Sequence, residues 1–235
     1  MPDQQLLSDT RDGVLTLTLN RPDKLNAIDN ALAHSLLQAL EVGCADTAVR
    51  VIRLCGHGRA FCAGRDVSAA PTDQDLILVQ AVAKAIVQSP KPVLAAVHGW
   101  TVGAGFEWMM DADLVVAAES ARFKLPEASL GVFVTGGLSA TLPATVGLAR
   151  AKALTLLGEE FNARQAFDWG MVYKLVPDSE LEQASWRVAV TLAALAPPVV
   201  AQFKRVFNLI GLAAFERAIE EENASQRALG GMPND

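Results

Sequence analysis

Short apolar runs of strand length alternate with segments of helical period through the first half of this chain. Leu15, Leu17 and Leu19 alternate with Thr16 and Thr18, a period of two that marks a half-buried strand, and Asn20-Arg21-Pro22-Asp23 is a turn signal that ends it. Leu32, Leu36, Leu37 and Leu40 then repeat at helical spacing over 31–42, and VIRL at 51–54 predicts a second strand running into Gly56-His57-Gly58. The series continues with a helix over 76–87, a buried strand over 93–97 between Pro92 and Gly99, a helix opening after glycines over 103–110, and a strand over 114–118. This order predicts an α/β core.

From about residue 136 the pattern changes to helices joined by short turns, with one strand-like segment, MVYKLV, at 171–176. Asn162 is placed to cap a helix beginning at 163, and the Pro197-Pro198 pair suits the first turn of another. No repeat, low-complexity tract or Ser/Gly-rich linker divides the chain. We therefore read 1–195 as the core and 196–235 as a C-terminal helical region of the same domain.

A chain of 235 residues with 51% hydrophobic and 20% charged residues has material for a real core and is not disordered or collagen-like. Lys plus Arg number 20 and Asp plus Glu 26, a net charge of −6, so no basic surface is expected to displace counterions from a phosphate backbone. Nucleic acid is not an expected partner. Cys44, Cys55 and Cys62 lack metal-ligand spacing, and His34, His57 and His98 do not cluster around them, so no metal is expected. No run approaches the ~18 consecutive apolar residues of a membrane span, and the N-terminus has no basic region followed by an apolar stretch. A cytoplasmic location without membrane association is the expectation.

Three glycine-containing turns could carry chemistry. In VHGWTVGAGFEWMMDADLVVA, at 97–117, Gly103 and Gly105 flank Ala104 just before a helix, a turn that bares backbone N–H groups where the helix dipole favours negative charge. Such amides suit a carbonyl oxygen that becomes negative during reaction. Glu107 lies in the first turn of that helix, where a carboxylate either favours the helix N-terminus or reaches the reacting space. GRAFCAGRDVS, at 58–68, is a second such turn. Its Cys62 has no nearby base and reads as a packed cysteine rather than a nucleophile, and Arg65 and Asp66 could simply pair with neighbours. In FKLPEASLGVFVTGG, at 123–137, Glu127 follows a proline that ends a strand, and Gly136-Gly137 precede another helix. Two carboxylates and two amide donors suit addition of water to a double bond conjugated with a carbonyl, one carboxylate managing the water proton and the other the proton at the α-carbon.

At these residues the sequence resembles the enoyl-CoA hydratase/isomerase family, the crotonases. The matching segments are RPDKLNAID at 21–29, GRAFCAGRD at 58–66, KPVLAAVHGWTVGAGFEWMMDADLVVA at 91–117, ARFKLPEASLG at 121–131 and ARAKALTLLGEEFNARQAFDWGMVYKLV at 149–176. The resemblance implies a crotonase-like spiral of ββα turns in two roughly perpendicular sheets, followed by a helical trimerisation region. It also implies a coenzyme A thioester as substrate, no permanently bound cofactor, and a homotrimer or dimer of trimers; the apolar helices over 139–157 and 198–228 suit that assembly.

Position by position, the resemblance makes the backbone N–H groups of Arg65 and Ala104 the oxyanion hole and Glu107 and Glu127 the catalytic glutamates. Retaining both glutamates favours a 2-enoyl-CoA hydratase forming a 3-hydroxyacyl-CoA. The alternatives are a Δ3,Δ2-enoyl-CoA isomerase or other acyl-CoA lyase or hydrolase, and, in another class, a non-catalytic acyl-CoA-binding or scaffold member. Lys24, Leu25, Ala27, Ala63, Arg65, Asp66 and Val67 match the positions that hold coenzyme A. Trp108, Val134 and Thr135 are assigned to the acyl and water pocket, and Val134-Thr135 departs from the Pro-Gly common in hydratases. Asp111, at i+4 from Glu107, either perturbs it or is a satisfied structural carboxylate. The sequence ends in EENASQRALGGMPND, without the stretch rich in Lys, Arg and aromatic residues usual in the family.

Overall fold

A computed structural model describes residues 4–68 and 72–230. Strands β1 (Leu6–Arg11) and β2 (Val14–Leu19) form an antiparallel hairpin, and helix α1 (Asn30–Ala45) follows. Strands then come in consecutive pairs, each pair followed by a helix: β3 (Val51–Gly56) and β4 (Ala60–Cys62) with α2 (Asp73–Gln88), β5 (Val93–Val97) and β6 (Trp100–Val102) with α3 (Ala104–Asp111), β7 (Leu114–Ala118) and β8 (Arg122–Lys124) with α4 (Glu127–Leu130). The first member of each pair joins a six-stranded sheet of order β1-β2-β3-β5-β7 and the second a four-stranded sheet beginning β4-β6-β8. After α5 (Leu138–Val146) and α6 (Leu148–Leu157), β9 (Phe161–Asn162) closes the small sheet antiparallel to β8. Helix α7 (Ala163–Asp168) leads to β10 (Lys174–Val176), which completes the large sheet parallel to β7. Helices α8 (Leu181–Ala193), α9 (Pro197–Gly211) and α10 (Phe215–Ala228) follow.

The central strands explain themselves. All five residues of β5, VLAAV, are buried, as expected for a parallel strand covered on both faces. Side-chain alternation sends Ile52, Leu54, Val93, Ala95 and Val97 into the main core with Leu32, Leu36 and Leu40 of α1, whereas Val51, Leu94 and Val116 meet Ala184 and Ala189 of α8 on the opposite face. The fold is thus the two-sheet ββα arrangement with a helical C-terminal region that the resemblance implied.

Asn162 caps α7 through a reciprocal pair, its side chain accepting from Gln165 N–H at 2.9 Å while Gln165 Oε1 accepts from Asn162 N–H at 3.0 Å. The 171–176 segment is a strand only over its last three residues, and the small sheet, whose strands have two or three residues, left no periodicity to read. Among the described residues no single helix is long and apolar enough to cross a membrane.

Candidate active site

The turns after β4, β6 and β8 open onto one cavity of about 360 Å³. Each turn sits there because its strand belongs to the small sheet: β4 and β8 flank β6 in parallel, so the chain leaves all three strands at the same end. At β6 the chain must turn into α3 within one residue. Gly103 does so at φ +51°, and a Cβ there would lie 2.9 Å from Glu127 Oε1. Gly64, at φ +85°, brings the first turn against the second, its Cβ position 2.7 Å from Val102 O and 3.6 Å from Ala104 N.

Ala104 is the first residue of α3, so helical geometry gives its N–H no intrahelical acceptor. Arg65 and Ala104 both line the cavity, beside Ala63, Val67, Glu107, Glu127 and Thr135. The two glutamates, twenty residues apart in sequence, therefore share one space with both glycine turns.

Glu107 is 1% exposed. The Thr135 backbone N–H donates to its two carboxylate oxygens at 3.2 and 3.3 Å, and the Thr135 hydroxyl lies 3.3 Å from Oε2. Burial, with the nearby charges of Glu127 and Glu222, pushes its carboxyl up to about 8. Glu127 opens the single turn of α4, and burial pushes it to about 7. Its Oε2 is buried without a hydrogen-bond partner among the described residues. The pair can thus carry one proton near neutral pH, leaving one acid and one base.

Asp111 is no satisfied structural carboxylate. Both its oxygens are buried without a partner among the described residues, and burial, then Glu107 and Glu222, raise its pKa well above the usual range, which favours the neutral acid. Cys62 is packed: its thiol donates to Asn26 O at 3.2 Å, and burial pushes it up to about 12. Two expected pocket residues lie elsewhere. Trp108 is 1% exposed in the core, its indole N–H donating to Val79 O at 3.2 Å, because one residue beyond Glu107 the α3 surface has rotated away from the cavity. Val134 lines a neighbouring cavity of about 500 Å³ with Leu138 and Leu142.

The segments matched to coenzyme A contact lie together. Ala63 N–H donates to Leu25 O at 3.0 Å, Ile28 N–H to Gly64 O at 2.8 Å and Asp66 N–H to Ile28 O at 2.7 Å, which laces 24–28 against 63–66. Ala27 O accepts from the Arg21 guanidinium, which also pairs with Asp66 at 3.0 Å. Asp66 is held at about 2 by its Ser68 hydrogen bonds and by Arg21. Lys24 is exposed at the edge of this strip, and Val67 is exposed at the cavity rim.

Sequence reasoning missed the walls. Leu76 and Val79 of α2, Leu130, Phe133 and Gln226 of α10 line the cavity, and Glu222 lies behind it, accepting from Gly137 N–H and Ser139 N–H at 2.8 Å each. A signal existed for the last two: Phe215, Ala218, Ile219, Glu222 and Gln226 fall on one helical stripe, and all are buried.

The sequence profile of the enoyl-CoA hydratase/isomerase family matches residues 9–229. The chain belongs to the enoyl-CoA hydratase/isomerase family. Relatives within the family include a 1,2-epoxyphenylacetyl-CoA isomerase of Escherichia coli, 33% identical over 96% of this chain and 90% of the relative. A 2,3-dehydroadipyl-CoA hydratase of the same organism is 33% identical over 93% of this chain and 87% of the relative. Among solved structures, an enoyl-CoA hydratase from Mycobacterium avium subsp. paratuberculosis superimposes with a TM-score of 0.91 at 32% identity, covering 97% of this chain and 91% of that one. These enoyl-CoA hydratase/isomerase relatives differ in the reaction they are named for, so the chemistry of this chain rests on its own cavity.

Proposed function

We propose that this family member is a 2-enoyl-CoA hydratase. The observation that carries the reading is that Glu107 and Glu127 face one cavity with the Arg65 and Ala104 turns. In this reading the two backbone N–H groups hold the thioester oxygen, so that electron density moves onto it when water adds to the β-carbon. The ionised glutamate takes a proton from water as its oxygen bonds to the β-carbon, and the protonated glutamate gives its proton to the α-carbon as the enolate collapses. Water is consumed and each carboxyl is left with its protonation exchanged. The strip formed by 24–28 and 63–67 is the proposed seat of coenzyme A.

Mixing the protein with crotonyl-CoA and following the conjugated enoyl-thioester absorbance tests the reading. Absorbance loss with 3-hydroxybutyryl-CoA as product, abolished in Glu127→Gln, is expected. Turnover that survives within a fewfold in both Glu107→Gln and Glu127→Gln would refute it.

The second reading is an enoyl-CoA isomerase. Thr135 supports it, because where many hydratases have glycine this side chain places a hydroxyl 3.3 Å from Glu107 Oε2. One carboxyl would then move a proton between the α- and γ-carbons. A 3-enoyl thioester converted to the 2-enoyl isomer, with no hydroxyacyl product, would decide for it.

The assembly proposed is a homotrimer or a dimer of trimers. Val199, Phe203, Phe207 and Ile210 form one stripe on α9 and are 53, 61, 66 and 74% exposed. Light scattering at micromolar concentration should give at least three times the chain mass, and a monomer mass overturns the assembly.

A further inference from the structure

Gln226, near the end of α10, is 7% exposed and lines the cavity. Its Oε1 accepts the Phe133 backbone N–H at 2.7 Å. That bond settles which end of the amide is which, because a backbone N–H can meet only the oxygen. The two N–H donors on Nε2 are left with no protein acceptor among the described residues. The same cavity is lined by the apolar side chains of Leu76, Val79, Leu130 and Phe133. Of the other polar side chains lining the cavity, the Thr72 hydroxyl donates to Asp75 at 2.6 Å, Thr135 is held to Glu107, and the Arg65 guanidinium donates to Asp66 O at 3.3 Å, while Glu127, whose Oε2 has no partner among the described residues, belongs to the proposed reacting centre. The Gln226 donors reach the cavity, so a substrate that fills this part of it takes solvent from them, and one that brings no acceptor leaves them unpaired.

The acids around the cavity also set the charge of the acceptor. Glu107 and Glu127 face the cavity and Glu222 lies just behind Gly137, so a further carboxylate brought in by the substrate would be repelled and would raise these groups further. A neutral oxygen meets the Gln226 donors without that penalty.

We propose that Gln226 determines specificity: it selects acyl-CoA thioesters whose acyl chain carries a neutral oxygen acceptor, such as a hydroxyl, ether or carbonyl, beyond the reacting carbons. Plain alkyl chains and chains ending in a carboxylate are disfavoured. The proposal rests on reading the cavity as the acyl-CoA site and is independent of which reaction occurs there.

The experiment uses binding, so that a failed hydration assay does not decide it. Calorimetry measures Kd for saturated acyl-CoA esters of one chain length: the alkyl parent, a series in which one hydroxyl steps along the chain from the γ-carbon, and the terminal carboxylate. The variants, measured beside wild type at a pH of about 9 so that a carboxyl at 226 is ionised, are Gln226→Met, which loses donor and acceptor, and Gln226→Glu, whose carboxylate accepts from Phe133 N–H but donates nothing. Thermal melts establish that both are folded. At least one hydroxylated ester should bind wild type about five- to tenfold more tightly than the alkyl parent and than the carboxylate, with the hydroxyl-to-alkyl ratio falling to about one in both variants. No preference at any hydroxyl position, tighter binding of the carboxylate, or a preference that survives in Gln226→Glu overturns the proposal. Survival there would show that Gln226 acts only by holding Phe133. Hydration of the matching 2-enoyl esters is measured in parallel: its absence with an intact binding preference refutes the hydratase reading alone.

Discussion

The substitution Glu107→Gln tests whether the native protein holds protons that the unfolded chain releases. Burial places the Glu107 carboxyl at about 8, above the ~4.3 of an unfolded glutamate, so the folded state binds the extra proton. The stabilisation this represents is fully present below the unfolded value and is lost as pH rises through about 8. Inside that window one such group lowers stability by up to ~1.4 kcal/mol per pH unit. Glu127, at about 7, contributes in the same direction over the lower part of the window. At pH values between about 5.5 and 6.5 both are protonated in the folded protein and ionised in the unfolded chain, so wild type carries both slopes. Glutamine keeps the shape at 107 and removes one titration, so the variant's stability should fall less steeply, by up to ~1.4 kcal/mol per pH unit. Urea unfolding at pH values of about 5.5, 6.0 and 6.5 and fixed ionic strength, followed by tryptophan fluorescence, measures the difference. Equal slopes in wild type and variant would show that Glu107 is ionised in the folded protein and that the proton assignment is wrong.

The other expectations concern the same pair and its supports. In the proposed mechanism one proton on two carboxyls is the working state, so kcat/KM for a 2-enoyl-CoA should peak between pH about 7 and about 8 and fall on both sides, and a profile that stays flat from about pH 5.5 to about pH 9.5 would contradict the pairing. In Gly136→Ala the new methyl would meet Glu107 Oε2 at 2.6 Å and Glu107 Cβ at 3.1 Å, so turnover should drop by about 10²-fold; steady-state kinetics showing wild-type kcat would mean that this placement does not matter. Glu222→Ala leaves two backbone N–H groups without their acceptor and should cost ~2–3 kcal/mol in urea unfolding, whereas Glu220→Ala, on the exposed face of the same helix, should change stability by less than ~0.5 kcal/mol.

Much of the large sheet was legible because its strands are long and buried enough to show in composition and period. The β5 and β7 runs needed no tertiary information. The hairpin of β1 and β2 has an equally local signal in its Asp-Gly turn: Asp12 and Gly13 both sit at positive φ, 52° and 75°, the two-residue turn that matches strand twist. The small sheet was not legible. A strand of three residues, such as β6, contains one and a half periods, and what fixes it is pairing with β4 and β8, each more than twenty residues away in the chain. Those pairs aim three turns at one cavity, so the part of the fold with the weakest local signal is the part that builds the site.

The site divides along the same line. Glu107, Glu127 and the glycine turns stand next to local signals, a helix start or a proline after a strand, and they could be named from spacing and resemblance. What sets their chemistry comes from elsewhere. The raised value at Glu107 owes most to burial, and the segment that buries it, 133–139, is held by α10: Gln226 accepts from Phe133 N–H, Glu222 from Gly137 N–H and Ser139 N–H, and Phe215 fills the space over Gly137, where a Cβ would lie 2.2 Å from its ring. These contacts span roughly ninety residues of sequence, too far for any periodicity to report them. Position 111 illustrates the consequence. On an isolated helix Asp111 is one more carboxylate at i+4, but once α10 brings Glu222 close, no cation or donor accompanies it, and neutralisation is the response open to a buried, unpaired acid among acids. Three carboxyls with raised values, Glu107, Asp111 and Glu222, follow from one packing decision, the docking of α10 against the 133–139 segment that covers Glu107.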